Sequence, residues 1–185
     1  MIRILILVLL ASCTSLLQAE TSAGLYQIDL IVFTHQHDSP LSEDLSFTPA
    51  LPPSSKAIPL NSEINSTPTA YHLLPPASSQ LRQEYWALHR RPQYSVLMHY
   101  TWLQPFENQR TILLPKIERE GWQVEGTLRV RRSNYYLLST NLIFSSANKE
   151  QPAFVFAQTQ RLKGGDTYYL DHPQAGMLIK IHQLG

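Results

Sequence analysis

A short segment near the C-terminus brings together side chains that can bind polar ligands. Residues 167–173 read Thr-Tyr-Tyr-Leu-Asp-His-Pro, and the candidate ligand-binding residues are Tyr168, Tyr169, Asp171 and His172. Tyrosine rings lie well against sugar faces, and a carboxylate and an imidazole can bind hydroxyl and amide groups. The same residues could instead lock a sharp corner of the chain. The sequence leaves both interpretations open.

A second candidate group is basic and lies on a predicted strand. Arg129, Arg131 and Arg132 end an alternating segment, and from Arg82 onward thirteen Lys and Arg stand against eight Asp and Glu. The formal charge of the whole chain is only +1, so the basic excess is local. Such a surface favours an anionic wall polymer, a lipid headgroup or a partner protein, although a solvated face without a partner has the same composition.

The sequence contains no recognised catalytic motif. A serine-nucleophile elbow, a phosphate-binding loop and a paired-histidine metalloprotease motif are all missing. The segment His35-Gln36-His37-Asp38 has metal-binding residue types but lacks further ligands at a recognisable spacing. We therefore predict a non-catalytic protein without metal or cofactor. The weaker alternative is a hydrolase or metalloenzyme built on His35, His37, Asp171 and His172.

Alternating apolar residues predict the strands that position these groups. Residues 122–146 alternate on both sides of a reversal at Ser133-Asn134, which predicts a β-hairpin at the centre of a larger sheet. Further strands are predicted over 25–34, 94–104, 153–162 and 176–182. A helix is predicted from a serine cap at residue 78 or 79 to about residue 91, with an apolar stripe facing the sheet.

These elements predict an α+β fold. We expect a single, mostly antiparallel sheet, one helix packed on a face, and a long Pro-rich loop over residues 35–77. The helix precedes the second long strand, so a right-handed βαβ crossover with two parallel strands is expected. Asp29 lies on an otherwise apolar strand and needs a buried partner, for which an arginine on a neighbouring strand is the expected candidate.

The N-terminus has the form of an export signal. An apolar run over residues 4–11 follows Arg3 and is far shorter than the ~20 residues that a membrane-spanning helix needs. We predict a signal peptide at 1–19 and a single exported domain at 20–185, for which nucleic acid is not an expected ligand. The alternative is a lipoprotein signal cleaved before Cys13, which would anchor the protein in the outer membrane. Cys13 is the only cysteine, so the domain is expected to fold without a disulfide.

The closing segment resembles the C-terminal signature of the CsiV family, exported proteobacterial proteins described as peptidoglycan-binding. The matching residues are Tyr169, Asp171, His172, Pro173, Gly176 and Leu178. Three further matches follow the family order: the first strand with its internal acid, the segment ending at residues 100–105, and the strand over 134–144. The family commonly has two arginines before the closing segment and a histidine two residues ahead of its Leu-Asp pair. This chain has Gln160-Arg161 and Tyr168 there.

The resemblance implies a periplasmic, non-enzymatic protein that binds peptidoglycan and supports cell-wall synthesis. It implies as partners an outer-membrane lipoprotein activator and the penicillin-binding protein that the activator serves. On this hypothesis the arginines at 129, 131 and 132 and the segment 168–172 form the binding surface. The alternative is an envelope interaction module that docks through the 35–77 loop without contacting the wall.

Overall fold

The structure is a computed structural model that describes residues 24–35, 56–64, 69–146 and 152–184. The predicted signal peptide with Cys13, His37 and more than half of the Pro-rich segment lie outside these residues.

Nine strands and one α-helix make up the described part of the chain. The strands are β1 (Leu25–His35), β2 (Ile58–Pro59), β3 (Tyr94–Pro105), β4 (Ile112–Arg119), β5 (Trp122–Arg132), β6 (Tyr136–Ser146), β7 (Phe154–Leu162), β8 (Thr167–His172) and β9 (Ala175–Gln183). Helix α1 (Arg82–His89) follows a short 3-10 turn at Pro76–Ser78. Within the described ranges no helix is both long enough and apolar enough to span a membrane.

The strands form two sheets, so the prediction of a single sheet is wrong. Sheet A has the order β3-β1-β9-β8, and sheet B has the order β2-β4-β5-β6-β7. Apolar side chains from both sheets belong to one buried cluster, which places the two inner faces against each other. Strand periodicity shows which face of a strand is buried, but it does not show which strands share a sheet.

The predicted hairpin is confirmed as the centre of sheet B. Strands β5 and β6 pair in antiparallel register from Trp122 with Ser146 to Arg132 with Tyr136. Strand β7 continues the meander by pairing with β6. Gly126 lies on the inner face, where a Cβ would overlap the backbone of Leu142 on β6. The close approach of the two strands explains the glycine.

Strand β1 lies inside sheet A, between β3 and β9, and both of its faces are buried. Its inner face enters the core between the sheets, whereas Ile31 and Phe33 on the outer face pack with Leu81 and the stripe of α1. The predicted helix on a sheet face is therefore confirmed. Each fully buried aliphatic side chain contributes about 1.5–3 kcal/mol to folding, so both faces of β1 are strongly specified.

Asp29 is completely buried on the outer face of β1. Its carboxylate accepts hydrogen bonds from Gln27 Nε2 (3.0 Å), Thr101 Oγ1 (2.8 Å) and the backbone N–H of Gln80 (3.3 Å). His182 Nδ1 lies 3.6 Å away. The predicted arginine partner is wrong, because neutral donors and a histidine surround the carboxylate instead. Since the Gln80 N–H comes from the residues that lead into α1, Asp29 also ties the start of the helix to the sheet.

Strands β1 and β3 are antiparallel, so the expected parallel βαβ unit is also wrong. His35 at the end of β1 pairs with Tyr94 at the start of β3. Helix α1 starts beside Asp29 and ends four residues before β3 begins, so it runs in the same direction as β1. Helix α1 therefore does not connect two parallel strands, as a crossover helix does in a βαβ unit.

Candidate functional site

The closing segment is an edge strand, not a corner. Residues 167–172 form β8, which pairs with β9 and exposes its other edge. Because successive side chains of a strand point to opposite faces, the predicted group is divided. Tyr169 and Asp171 lie on the outer face of sheet A, whereas Tyr168 and His172 lie on the inner face. These four side chains therefore do not converge on one ligand.

The outer pair belongs to a set of mutual contacts that we call the closing cluster, made of Phe33, His35, Tyr94, Tyr169 and Asp171. The Tyr169 hydroxyl donates a hydrogen bond of 2.5 Å to Asp171, and its ring stacks on Phe33 at 6.2 Å. His35 Nε2 lies 3.8 Å from the same carboxylate, and Tyr94 packs edge-on against Phe33. Burial and the neighbouring carboxylate raise the pKa of Tyr169. The polar groups of this cluster bind one another.

The two side chains on the inner face, Tyr168 and His172, also have partners within the protein. The Tyr168 hydroxyl accepts a hydrogen bond from the backbone N–H of Lys163 (2.8 Å). The His172 ring stacks on Phe154 at 4.8 Å, and its Nδ1 accepts the N–H of Gln174. Burial lowers the pKa of His172, so the ring is neutral at neutral pH. These contacts hold sheet A against sheet B at this edge.

The three predicted arginines are all exposed, but they do not form one surface. Arg129 and Arg131 lie on the outer face of sheet B, and Arg129 Nε donates to the Gln109 carbonyl (2.7 Å). Arg132 is on the inner side at the strand end, where its guanidinium lies 4.0 Å above the Phe106 ring. Strand alternation separates it from its neighbours.

The arginines and the closing cluster lie at opposite ends of the molecule. Phe106, under Arg132, stacks on Tyr26 at one end of β1, whereas His172 is level with Thr34 at the other end. From Tyr26 to Thr34 is eight residues of extended chain, or about 26 Å. The structure does not bring the two predicted groups together.

A third region, which the sequence analysis did not identify, is a cleft of about 680 Å³ between α1, β3 and β4. The cleft opens where the outer edges of β3 and β4 are no longer paired with another segment of the chain. The segment 69–74 shields β3 up to the bond from Leu74 N–H to the Thr101 carbonyl, and β2 pairs with β4 only at Ile112 and Leu113. Leu97, His99 and Tyr100 of β3 and residues 117–119 of β4 lie beyond these contacts and line the cleft.

Aromatic rings form much of the cleft wall. Trp86 on α1 is 54% exposed, although it is among the largest apolar side chains of the chain. Tyr85 packs against Trp86 at 5.2 Å and stacks in parallel on His99 at 4.7 Å. Tyr100, the next residue of β3, also lines the cleft. Trp86, Tyr85 and His99 therefore form a row of contacting rings, whereas Tyr100 lies on the opposite face of β3.

The polar groups of the cleft are less satisfied than those of the closing cluster. His99 Nε2 is buried and has no hydrogen-bond partner among the described residues. Burial lowers the pKa of His99, while the charge of Asp29 opposes this, so the imidazole is neutral at neutral pH. Burial raises the pKa of Tyr100, against the opposing charge of Arg119. The cleft lining thus contains one buried imidazole nitrogen that is unpaired among the described residues.

The charged residues on the cleft wall are Arg82, Glu118 and Arg119. Arg82 extends from the first turn of α1 and makes one long hydrogen bond of 3.4 Å to the Ala77 carbonyl. Arg119 and Glu118 are exposed at the end of β4 and, as neighbours on a strand, point to opposite faces. Two guanidinium groups against one carboxylate make the wall net positive.

Such a cleft can hold a small ligand with a flat apolar face and polar edges. Its volume is in the range of about 300–1,000 Å³ that is typical of ligand pockets. No group of three or more His, Cys, Asp or Glu within the described ranges could hold a metal ion, and His35 is the only described residue of the His35–Asp38 segment. One sequence signal was available: Trp86 falls outside the Leu81, Tyr85 and Leu88 stripe of the helix.

Comparison with known proteins gives one result. The family model described as peptidoglycan-binding protein, CsiV, matches residues 3–184. No curated protein and no solved structure shows a significant match. Because the family model covers nearly the whole chain, this protein belongs to the CsiV family.

Proposed function

We propose that this protein binds peptidoglycan in the periplasm and that the aromatic cleft holds part of a glycan strand. The observation that carries the proposal is Trp86, a half-exposed tryptophan beside a cleft of about 680 Å³. The description of the family as peptidoglycan-binding supports the choice of ligand.

The side chains that line the cleft suit a sugar ring. The C–H face of a pyranose is apolar and packs on the face of an aromatic ring, whereas its hydroxyl and acetamido groups need hydrogen-bond partners. Trp86 and Tyr85 on α1 supply rings, and His99 and Tyr100 on β3 supply polar groups. Exposed aromatic side chains that become buried on binding contribute the largest share of affinity in many interfaces.

The residues predicted from the sequence have a secondary role in this proposal. Arg129 and Arg131, on the outer face of sheet B, add a weak, salt-sensitive attraction to the anionic wall. Tyr169 and Asp171 are exposed enough to contact a passing strand, although their first partners are each other. Binding is non-catalytic, since the proposal assigns no nucleophile or general base to the cleft.

We extend the proposal to a role in cell-wall synthesis. A protein that holds a glycan strand can bring it to an outer-membrane lipoprotein activator and to the penicillin-binding protein that the activator serves. The resemblance to the CsiV family supports these partners. We propose a free periplasmic protein, with a protein anchored in the outer membrane by a lipid on Cys13 as the alternative.

Sedimentation with purified sacculi tests the central proposal. Wild-type protein should pellet with sacculi. Trp86→Ala should weaken the affinity for sacculi about tenfold, which corresponds to roughly 1.4 kcal/mol, and the pelleted fraction should fall accordingly. Leu113→Ala is the matched control, because Leu113 is a 40% exposed apolar residue on the outer face of sheet B. Equal sedimentation of Trp86→Ala and wild type would reject the cleft as the binding site. Wild-type protein that stays in the supernatant at low salt would reject wall binding altogether.

A further inference from the structure

Two guanidinium groups line the aromatic cleft and have no carboxylate partner among the described residues. Within the described part of the chain, neither Arg82 nor Arg119 forms a salt bridge, whereas Lys116, on the same strand as Arg119, pairs with Glu125 at 3.8 Å. An arginine that is free beside stacked rings is available to bind an anion on the ligand.

We propose that the cleft recognises an acidic sugar, in which a carboxylate lies within a few bonds of the ring that packs on Trp86 and Tyr85. In peptidoglycan this is N-acetylmuramic acid with a free lactyl carboxylate, as found on glycan from which the stem peptide has been removed. The inference rests on the proposed function, since it names the ligand class of the same cleft.

The position of the arginines selects this ligand over two others. Arg82 and the rings of Tyr85 and Trp86 project from adjacent turns of α1, so a carboxylate that Arg82 binds must lie within a few bonds of the stacked ring. A lactyl group on the ring meets this condition. The carboxylates of an attached stem peptide are farther from the sugar, and the lactyl group is then a neutral amide. A strand of N-acetylglucosamine alone has no carboxylate.

Arg119 on β4 and Tyr100 on β3 both line the cleft. Both side chains belong to the inner faces of their sheets, because Arg119 pairs with Trp122 of β5 and Tyr100 pairs with Leu30 of β1. A carboxylate between Arg119 and the hydroxyl would accept hydrogen bonds from both. Glu118 also lines the cleft, but it alternates with Arg119 along β4, so its side chain points to the opposite face of the strand.

Calorimetric titration with three soluble ligands of equal sugar length tests the inference. The ligands are a tetrasaccharide of alternating N-acetylglucosamine and N-acetylmuramic acid without peptide, the same tetrasaccharide with its stem peptides, and the N-acetylglucosamine tetramer. At low salt the peptide-free acidic tetrasaccharide should bind about tenfold more tightly than either of the others, which corresponds to one charge-assisted contact of ~1.4 kcal/mol.

The arginine variants make the test specific. Arg119→Gln and Arg82→Gln should each remove most of the preference for the acidic sugar, so that the acidic and the neutral tetrasaccharide bind with similar affinity. Arg161→Gln is the matched control, because Arg161 is exposed on β7 at the outer face of sheet B. Thermal unfolding checks that the variants are folded.

The outcomes separate this inference from the proposed function. Equal binding of all three ligands by wild type would overturn the preference for an acidic sugar. If Trp86→Ala still loses sacculus binding in that case, the cleft would remain the binding site. Tighter binding of the peptide-bearing ligand would overturn the inference in favour of stem-peptide recognition. Failure to bind any soluble ligand would overturn it as well, and sacculi that also fail to bind would reject the proposed function.

Discussion

The aromatic cleft and the closing cluster contain similar residues in opposite states. Each joins tyrosine rings, a histidine and charged side chains. In the closing cluster the Tyr169 hydroxyl binds Asp171, and the ring of Tyr169 is stacked on Phe33. In the cleft a buried histidine nitrogen has no partner within the described residues, and Trp86 is 54% exposed. Unsatisfied groups next to an open volume indicate a binding site more clearly than residue types alone.

The largest expected effect comes from the carboxylate that supports the cleft. Asp29→Ala removes the acceptor of two buried donors and one partly buried donor, and it should lower the free energy of unfolding by about 3 kcal/mol or more. It should also weaken sacculus binding, because Asp29 holds the start of the helix that carries Trp86. Urea unfolding measures the first effect and sedimentation the second.

Asp171→Ala is the matched change in the closing cluster. The Asp171 side chain is 71% exposed, so its removal should cost no more than about 1 kcal/mol. Equal destabilisation by the two alanine variants would contradict the contrast between a supporting and an exposed carboxylate.

The next effect tests how tightly the closing cluster is packed. A Cβ at Gly176 would overlap the rings of Phe33 and Tyr169, so Gly176→Ala should lower the free energy of unfolding by about 1–3 kcal/mol. Sacculus binding by the folded variant should be unchanged, because the cleft lies at the opposite edge of sheet A. A variant as stable as wild type would mean that the two rings move aside freely. A folded variant that no longer binds sacculi would show that the closing cluster contacts peptidoglycan.

Acidification should affect both regions in the same direction. Burial lowers the pKa of His99 in the cleft and of His172 beside the closing cluster below the unfolded value of 6.5. As the pH falls below about 6.5, the unfolded chain takes up protons before the folded protein does, so stability present above this pH is lost. Urea unfolding at pH 7.5 and 5.5 should show the decrease.

The histidine variants divide this effect between the regions. His99→Gln and His172→Gln should each reduce the difference in stability between the two pH values. A difference that neither substitution alters would show that other groups control the response to acid.

The smallest expected effect concerns the exposed arginines of sheet B. The double substitution Arg129→Gln and Arg131→Gln should lower sacculus binding by less than about threefold at low salt and have no effect at high salt. Sedimentation over a salt series measures this. A loss as large as that of Trp86→Ala would move the principal contact from the cleft to the outer face of sheet B.

Much of the local structure could be predicted from the sequence, because it depends on neighbours in the chain. The β5–β6 hairpin, the burial of both faces of β1 and the apolar stripe of α1 follow from residue periodicity and a short connection. A bulge interrupts the alternation of β3. Val32 pairs with Met98 and the next residue, Phe33, pairs with Val96, so Leu97 has no opposite residue on β1. No local pattern indicated that irregularity.

The sites were harder to predict, because strand alternation and chain direction decide them. The closing segment was interpreted as one polar group, but as strand β8 it sends Tyr168 and His172 inward and Tyr169 and Asp171 outward. The cleft is built from residues 76–119, and no part of it is a motif by itself. An exposed tryptophan on the helix was its one visible sign.

By itself, the sequence determined the membership of the family, the positions of the main strands and the helix, and which faces of them are buried, because these depend on residue types and short-range spacing. Only the tertiary structure decided that the strands form two sheets, that β1 and β3 are antiparallel, and that neutral donors surround Asp29. It also decided where an edge strand remains uncovered and a cleft opens. The physical reason is that hydrophobic burial is non-directional, so a periodic pattern specifies a buried face without specifying its partner.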